Sequence, residues 1–285
     1  LVAGIIPYAG IPLIVGAVER KGHYLRVQDH SIPASQGTAA MISAALSLTD
    51  YLQIEPPQAV LAGDTGRGEG SYRLYEYLID KIGELSPAVL ALHYWMPNLE
   101  LMQRLYEKIE LLHPRPVLIA DAASMYAAKA AGLASGFDVF TPDLSEIAFL
   151  ADPEAIHPAY IDKHLFQSCK SSTIPDLIEM AYKNKGAARY LLVKGKSDYI
   201  ANENNILAVI DKPDVPELEC IGGTGDTITG MCAALISKGL DITQALILSA
   251  RANRLAGMIN PITPASRIEE IIARFPAVFN NSFDI

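Results

Sequence analysis

Ile221-Gly222-Gly223-Thr224-Gly225-Asp226-Thr227-Ile228-Thr229-Gly230 is the stretch that decides how the chain is read. Glycines and a threonine lead into one aspartate. Apolar residues then recur at helical spacing, at Ile228, Met231, Cys232, Leu235 and Ile236. The pattern is that of a loop feeding a helix N-terminus. Unpaired backbone N–H groups there favour an anion, and glycines let the backbone approach a phosphate closely. A carboxylate is a poor phosphate ligand. Beside such a nest, Asp226 is better used as a base that takes a proton from an attacking hydroxyl. On the loop alone a second reading stands equally: a glycine-rich turn with Asp226 as an ordinary helix cap.

Working outward, short apolar runs at 59–62, 88–92, 116–121, 138–140 and 190–193 read as buried strands. Between and after them, 38–51, 72–85, 98–112, 125–133, 174–185, 242–259 and 266–274 carry helical spacing. Residues 25–27 read as a short strand and 29–36 as a loop, and 199–201 and 206–210 flank a hairpin turn. Pro142 is expected to open the helix that holds Ile147, Phe149 and Leu150. Strands alternating with helices predict an α/β fold, a largely parallel sheet with helices on both faces. With no repeat and no shift in composition, 1–285 reads as a single domain. The polar stretch 153–170 reads as a surface insertion, with His157 and His164 solvated rather than bound to a metal.

The 285 residues carry 23 Lys and Arg against 32 Asp and Glu, a net charge of −9. No basic run stands out, which speaks against nucleic-acid binding. Cys169, Cys220 and Cys232 are scattered, without a CxxC pair, and read as reduced thiols of a cytoplasmic protein. Residues 1–18 hold no charge, but Pro7 and Pro12 interrupt them and no basic segment precedes them. They read as a buried strand or an oligomer contact, not as a membrane or signal segment. The chain begins at Leu1 without a methionine, which leaves the true start open.

Gly223-Thr224-Gly225-Asp226 resembles the Gly-Thr-Gly-Asp signature of the ribokinase-like superfamily. Within that superfamily the chain is most similar to the C-terminal dehydratase domain of the NAD(P)H-hydrate repair enzymes, from about Lys21 to the end. Lys21-Gly22-His23 resembles the opening Lys-Gly segment. Val117 to Ala122 resembles the strand ending in Asp-Ala-Asp, with Ala123 in place of the second aspartate. Phe140 to Glu146 resembles Leu-Thr-Pro-His-x-Gly-Glu, with Asp143 for the histidine. Val193-Lys194-Gly195 and Gly222 to Gly230 continue the match. Gln28 to Ser31 stands where the family has Gly-Gly-Ser, and Gly63 to Gly68 where it has Gly-Pro-Gly-x-Gly.

The resemblance implies a three-layer α/β/α fold and a small-molecule substrate phosphorylated from ATP or ADP with Mg²⁺. It implies Asp226 as catalytic base and Gly222, Gly223, Thr224 and Gly225 as the anion hole. Lys194, Gly195 and Asn253 are expected at the nucleotide, and Asp64, Arg67, Asp121 and Asp143 on the substrate side. Glu146 is expected to hold Mg²⁺ through water. Plainer readings stay open. Lys194 can snorkel from a strand end, Glu146 can be a solvated first-turn acid, Asp64 and Arg67 can belong to a charged mobile loop, and Asn253 can be an ordinary polar helix residue. The implied reaction is dehydration of NAD(P)H hydrate through transient phosphorylation of its hydroxyl. The alternatives are a kinase for a sugar or vitamin-precursor alcohol, and a nucleotide-binding sensor without catalysis. A homo-oligomer is expected.

Overall fold

The uncharged start of the chain becomes the middle of the sheet. Strand β1 (Val2–Ile6) is buried at every position and pairs in parallel with β5 (Gln58–Gly63) on one side and β6 (Val89–His93) on the other. A strand apolar on both faces is what a centre covered by helices requires. The computed structural model describes residues 1–155, 173–259 and 261–284. The remaining strands are β2 (Ile14–Lys21), β3 (Tyr24–Val27), β4 (His30–Pro33), β7 (Val117–Asp121), β8 (Val139–Phe140), β9 (Tyr190–Val193), β10 (Asp198–Asn202) and β11 (Ile206–Ile210). They form an 11-stranded sheet in the order β11-β10-β9-β8-β7-β6-β1-β5-β2-β3-β4. The run from β5 through β1 to β9 is parallel, and both flanks are antiparallel.

Alternate residues of each central strand feed opposite cores. Ala59 and Leu61 face the core built with α1 (Thr38–Leu52), α7 (Thr224–Ser237), α8 (Ile242–Ile259), α9 (Ile268–Ile272) and α10 (Phe275–Ser282). Val60 and Ala62 face the core built with α2 (Glu69–Leu85), α3 (Leu99–Glu110), α4 (Ala123–Ala130), α5 (Leu144–Ala151) and α6 (Ile174–Lys183). This is the three-layer α/β/α arrangement expected from the sequence. Parallel strands place their C-terminal ends on one edge, where open α/β sheets bind ligands. Ile6, Gly63, His93, Asp121, Phe140 and Val193 all end there.

Several local expectations are corrected. Residues 30–33 form β4 against β3 rather than part of a loop. Only Ile32 gives that strand a buried apolar side chain, so it has almost no alternation to read. Helix α2 starts at Glu69, three residues before its apolar pattern, because the Asp64 carboxylate accepts from the N–H groups of Gly70 and Ser71. Pro142 does not open α5. Asp143 caps it, with a reciprocal bond from its own N–H to Glu146. The expected helix at 266–274 is the five-residue α9, and α10 follows it. His157, His164 and Cys169 lie outside the described residues. No described helix is long and apolar enough to cross a membrane.

Helices α1 and α7 lie side by side across the sheet, and one glycine sets their spacing. A Cβ added at Gly230 would strike the carbonyl of Met41, which is backbone and cannot swing aside. We predict that Gly230→Ala destabilises the protein by about 1–3 kcal/mol, the usual range for overpacking a core. Urea unfolding measures this directly. An unchanged midpoint would mean that the two helices have room to spare.

Candidate active site

Three strand ends and two helix starts converge on one carboxylate. Asp226 stands in the first turn of α7, just after Gly223 at its N-cap. Its Oδ2 accepts the N–H of Gly37 at 2.8 Å, and its Oδ1 lies 3.0 Å from His93 Nε2. Gly37 precedes α1 with φ +60°, in the left-handed region where a side chain is strained, and so turns its N–H toward Asp226. Burial alone would push the Asp226 carboxyl up. The His93 hydrogen bond and charge, the Lys194 charge and the Gly37 N–H outweigh it and hold the carboxyl below its ordinary range.

The neighbouring acid, Asp121, is 1% exposed. Its Oδ1 accepts from the Ala122 N–H and from the Lys194 ammonium, each at 2.8 Å. Its Oδ2 accepts the Thr229 hydroxyl at 2.6 Å. Lys194 therefore does not snorkel to the surface. Burial works against its charge, but Asp121, Glu146 and Asp226 together hold its proton more tightly than usual.

Two cavities meet at Asp226. One of about 350 Å³ is lined by Asp121, Asp143, Glu146, Lys194, Gly195, Thr224, Gly225 and Asn253. The other, about 670 Å³, is lined by Gln36, Gly37, Thr38, Asp64, Met96, Gly222 and Gly223. Asp226 and Tyr94 line both. The glycine loop thus runs from one cavity into the other, with the carboxylate on the wall between them.

The remaining candidates sort by cavity. Asp143 lies on the smaller one with Lys194, not on the larger one with Asp64. Asn253 reaches it from α8, its amide oxygen 3.0 Å from the Thr227 hydroxyl. Asp64 lines the larger cavity, but its carboxylate accepts the N–H groups of Gly66, Arg67, Gly68, Gly70 and Ser71. Although burial opposes it, these bonds hold the Asp64 carboxyl below its usual range. The loop at 63–70 is folded around its own aspartate. Arg67 is exposed and is not brought to Asp226; it lines a separate hollow with Gly63 and Glu69.

Several functional-looking residues escaped the sequence reading. His93 is the last residue of β6, one past the expected strand end, and is fully buried. Its only signal is a histidine closing an apolar run at the binding edge. Arg254, next to Asn253, bonds Asp198 at 2.8 Å and the carbonyls of Gly195 and Lys196 at 2.8 and 3.0 Å, fixing the turn after Lys194. Its signal is an arginine beside Asn253 in a mostly apolar helix that also carries Arg251. The donor atoms of His93, Asp121 and Asp226 lie within 4.8 Å of one another. The Lys194 ammonium already supplies a cation to that group. For a hard divalent ion, the oxygen donors of Glu146 and Asp143 on the smaller cavity are the better fit. Burial pushes the Glu146 carboxyl up to about 8, with Lys194 opposing, so a cation there would be welcome.

A family model described as NAD(P)H-hydrate dehydratase matches residues 96–265, and the chain belongs to that family. The match begins at residue 96, not near Lys21, so the segments at 21–23, 28–31 and 63–68 fall outside it. An uncharacterized protein of Methanocaldococcus jannaschii is 37% identical over 242 residues, covering 85% of this chain and 99% of that protein. The bifunctional NAD(P)H-hydrate repair enzyme Nnr of Hyperthermus butylicus is 28% identical over 109 residues, which are 38% of this chain and 20% of that protein. Pyridoxal kinase of Bacillus subtilis, solved as an ADP complex, shares the fold with a TM-score of 0.54 at 14% identity, covering 93% of this chain and 95% of its own. Phosphofructokinase-2 of Escherichia coli does so with a TM-score of 0.54 at 13% identity, covering 98% and 99%. The fold is ribokinase-like.

Lys194→Met should leave the Asp121 carboxylate buried without its cation. Breaking a buried pair in this way costs about 3–5 kcal/mol. The double variant Lys194→Met with Asp121→Asn should recover most of that loss in urea unfolding. Equal stability of wild type and Lys194→Met would show that the pair is solvated.

Proposed function

We propose that this chain phosphorylates a substrate hydroxyl from a bound nucleotide and that the substrate is NAD(P)H hydrate. The observation that carries this reading is the position of Asp226, on the wall between two cavities and in the first turn of a helix whose start is a glycine loop. The smaller cavity would take the nucleotide phosphates, against the N-terminal N–H groups of α7 and beside Lys194. The larger would take the substrate. Asp226, held ionised, accepts the hydroxyl proton as the phosphoryl group arrives. Lys194 and the α7 N-terminus stabilise the charge of the group in flight. Glu146, with Asp143 beside it, would hold Mg²⁺, which supplies further neutralisation of phosphate charge when bound.

The phosphorylated hydroxyl is then a leaving group. Electron push from the ring nitrogen breaks the C–O bond, phosphate departs with the electron pair, and a proton is lost from the adjacent ring carbon. The dihydropyridine is restored, and the net change is hydrate plus ATP giving NAD(P)H, ADP and phosphate, or ADP giving AMP.

One observation favours a second reading, a kinase for an uncharged alcohol. Among the described residues, no Lys or Arg lines the larger cavity. Most of its lining comes from residues before 96, outside the family match. An apolar cavity without a cation suits a neutral ring better than a phosphate.

Hydrated NADH supplied with Mg²⁺ and ATP or ADP should regain dihydropyridine absorbance. Asp226→Asn should lower that rate at least about a hundredfold, the usual worth of a general base, while nucleotide affinity by calorimetry is retained. Failure to regain absorbance, with ATP consumed on a pyrimidine or sugar alcohol, would establish the kinase instead. Near-normal turnover by Asp226→Asn would remove Asp226 from the chemistry.

A further inference from the structure

The proton inventory around His93 is settled by a residue that carries no charge. Thr38 has one hydroxyl proton. Its Oγ1 lies 2.6 Å from the Ile5 carbonyl oxygen and 2.8 Å from His93 Nδ1, and the side chain is buried. A carbonyl can only accept, so the hydroxyl donates to Ile5 and must accept from His93. Nδ1 therefore carries a proton. The other ring nitrogen, Nε2, lies 3.0 Å from Asp226 Oδ1. Were Nε2 bare, its lone pair would face a carboxylate lone pair in a site where His93 has no exposed surface. A proton has to lie between them.

We infer that His93 is a positioning residue for the base, a doubly protonated imidazole that pins the Asp226 carboxylate and shares one proton with it. This rests on the reading of Asp226 as base. The charges around the ring agree. Asp226 faces it from α7, and Asp121 Oδ2 from β7 at 4.0 Å. Lys194, just past the end of β9, pairs with the far oxygen of Asp121. The Tyr94 ring stands edge-on at 4.3 Å between centroids. Two carboxylates are matched by two cations only if His93 is an imidazolium. A neutral ring would leave a buried negative charge, which is costly.

The arrangement has two consequences for the chemistry. The Asp226 carboxylate is gripped on one oxygen by Nε2–H and on the other by the Gly37 N–H, so its remaining lone pairs are presented in a fixed direction. The His93 charge also keeps Asp226 ionised, part of the reason its carboxyl lies low. A base is active only when deprotonated. Activity therefore fails as pH falls through the Asp226 value, and removing His93 raises that value and moves the acid limb to higher pH.

Long-range nitrogen–proton NMR on the wild-type protein, with the His93 signal assigned by its loss in His93→Gln, should show protons on both ring nitrogens at pH 7. A bare Nε2 would overturn the inference, whatever the substrate is. His93→Ala should lower kcat by roughly tenfold or more, within what a well-placed base is worth, with the KM for nucleotide little changed. Its acid limb should move to higher pH. His93→Gln, which can donate to Asp226 but carries no charge, should recover part of kcat and keep the shifted limb. Unchanged kcat and an unchanged acid limb in both variants would also overturn it. If His93→Ala does not fold, His93→Gln and the wild-type spectrum decide. If the wild type turns over neither the hydrate nor an alcohol, the proposed function fails while the spectrum still judges the His93–Asp226 pair.

Discussion

Two carboxylates, Asp121 and Asp226, are held close together at the sheet edge, and buried acids must be matched by cations or hydrogen bonds. That constraint organises the site. Lys194 comes from just past the end of β9 to meet Asp121, His93 from β6 to meet Asp226, and Thr229 from α7 to meet Asp121 again. The partners belong to strands and helices far apart in the chain. Their pairing therefore ties the N-terminal half of the sheet to the C-terminal third. The same groups that close this account of charge are the ones a phosphoryl transfer needs.

Backbone strain collects at the same edge. Tyr94, just after His93, and Ala122, just after Asp121, both have positive φ, at 61° and 53°. Neither is a glycine, and such conformations persist only where the surroundings over-determine them. Here each follows a strand end whose side chain is locked into the charge network. Ala122 gives its N–H to Asp121, and Tyr94 packs its ring against His93. The strained turns follow the two functional side chains directly, and Tyr94 and Ala122 themselves line the smaller cavity.

The α/β alternation is legible because the central strands are buried on both faces and the helices carry their own period. The glycine loop before Asp226 is legible because its residues are adjacent in the chain. What escapes the sequence is what depends on distance. Nothing near His93 marks it as the neighbour of a residue 133 positions later. Asp64 reads as a substrate-side acid or as part of a charged mobile loop, and only the folded backbone reveals that its oxygens are taken by five N–H groups. Arg254 lies 59 positions beyond Gly195, and nothing local ties it to the turn at 195–198 that hangs from it. β4 is a strand only because β3 lies beside it.

The contact at Gly230 reaches beyond packing. Helices α1 and α7 meet there without a side chain between them, and both begin at the Asp226 carboxylate, through Gly37 and Gly223. Two helices in backbone contact cannot slide past one another without colliding, so the pair behaves mechanically as one beam. The base and the Gly37 N–H that supports it ride on that beam together. Any closure over a ligand must then be made by parts outside that beam, while the reacting centre keeps its geometry.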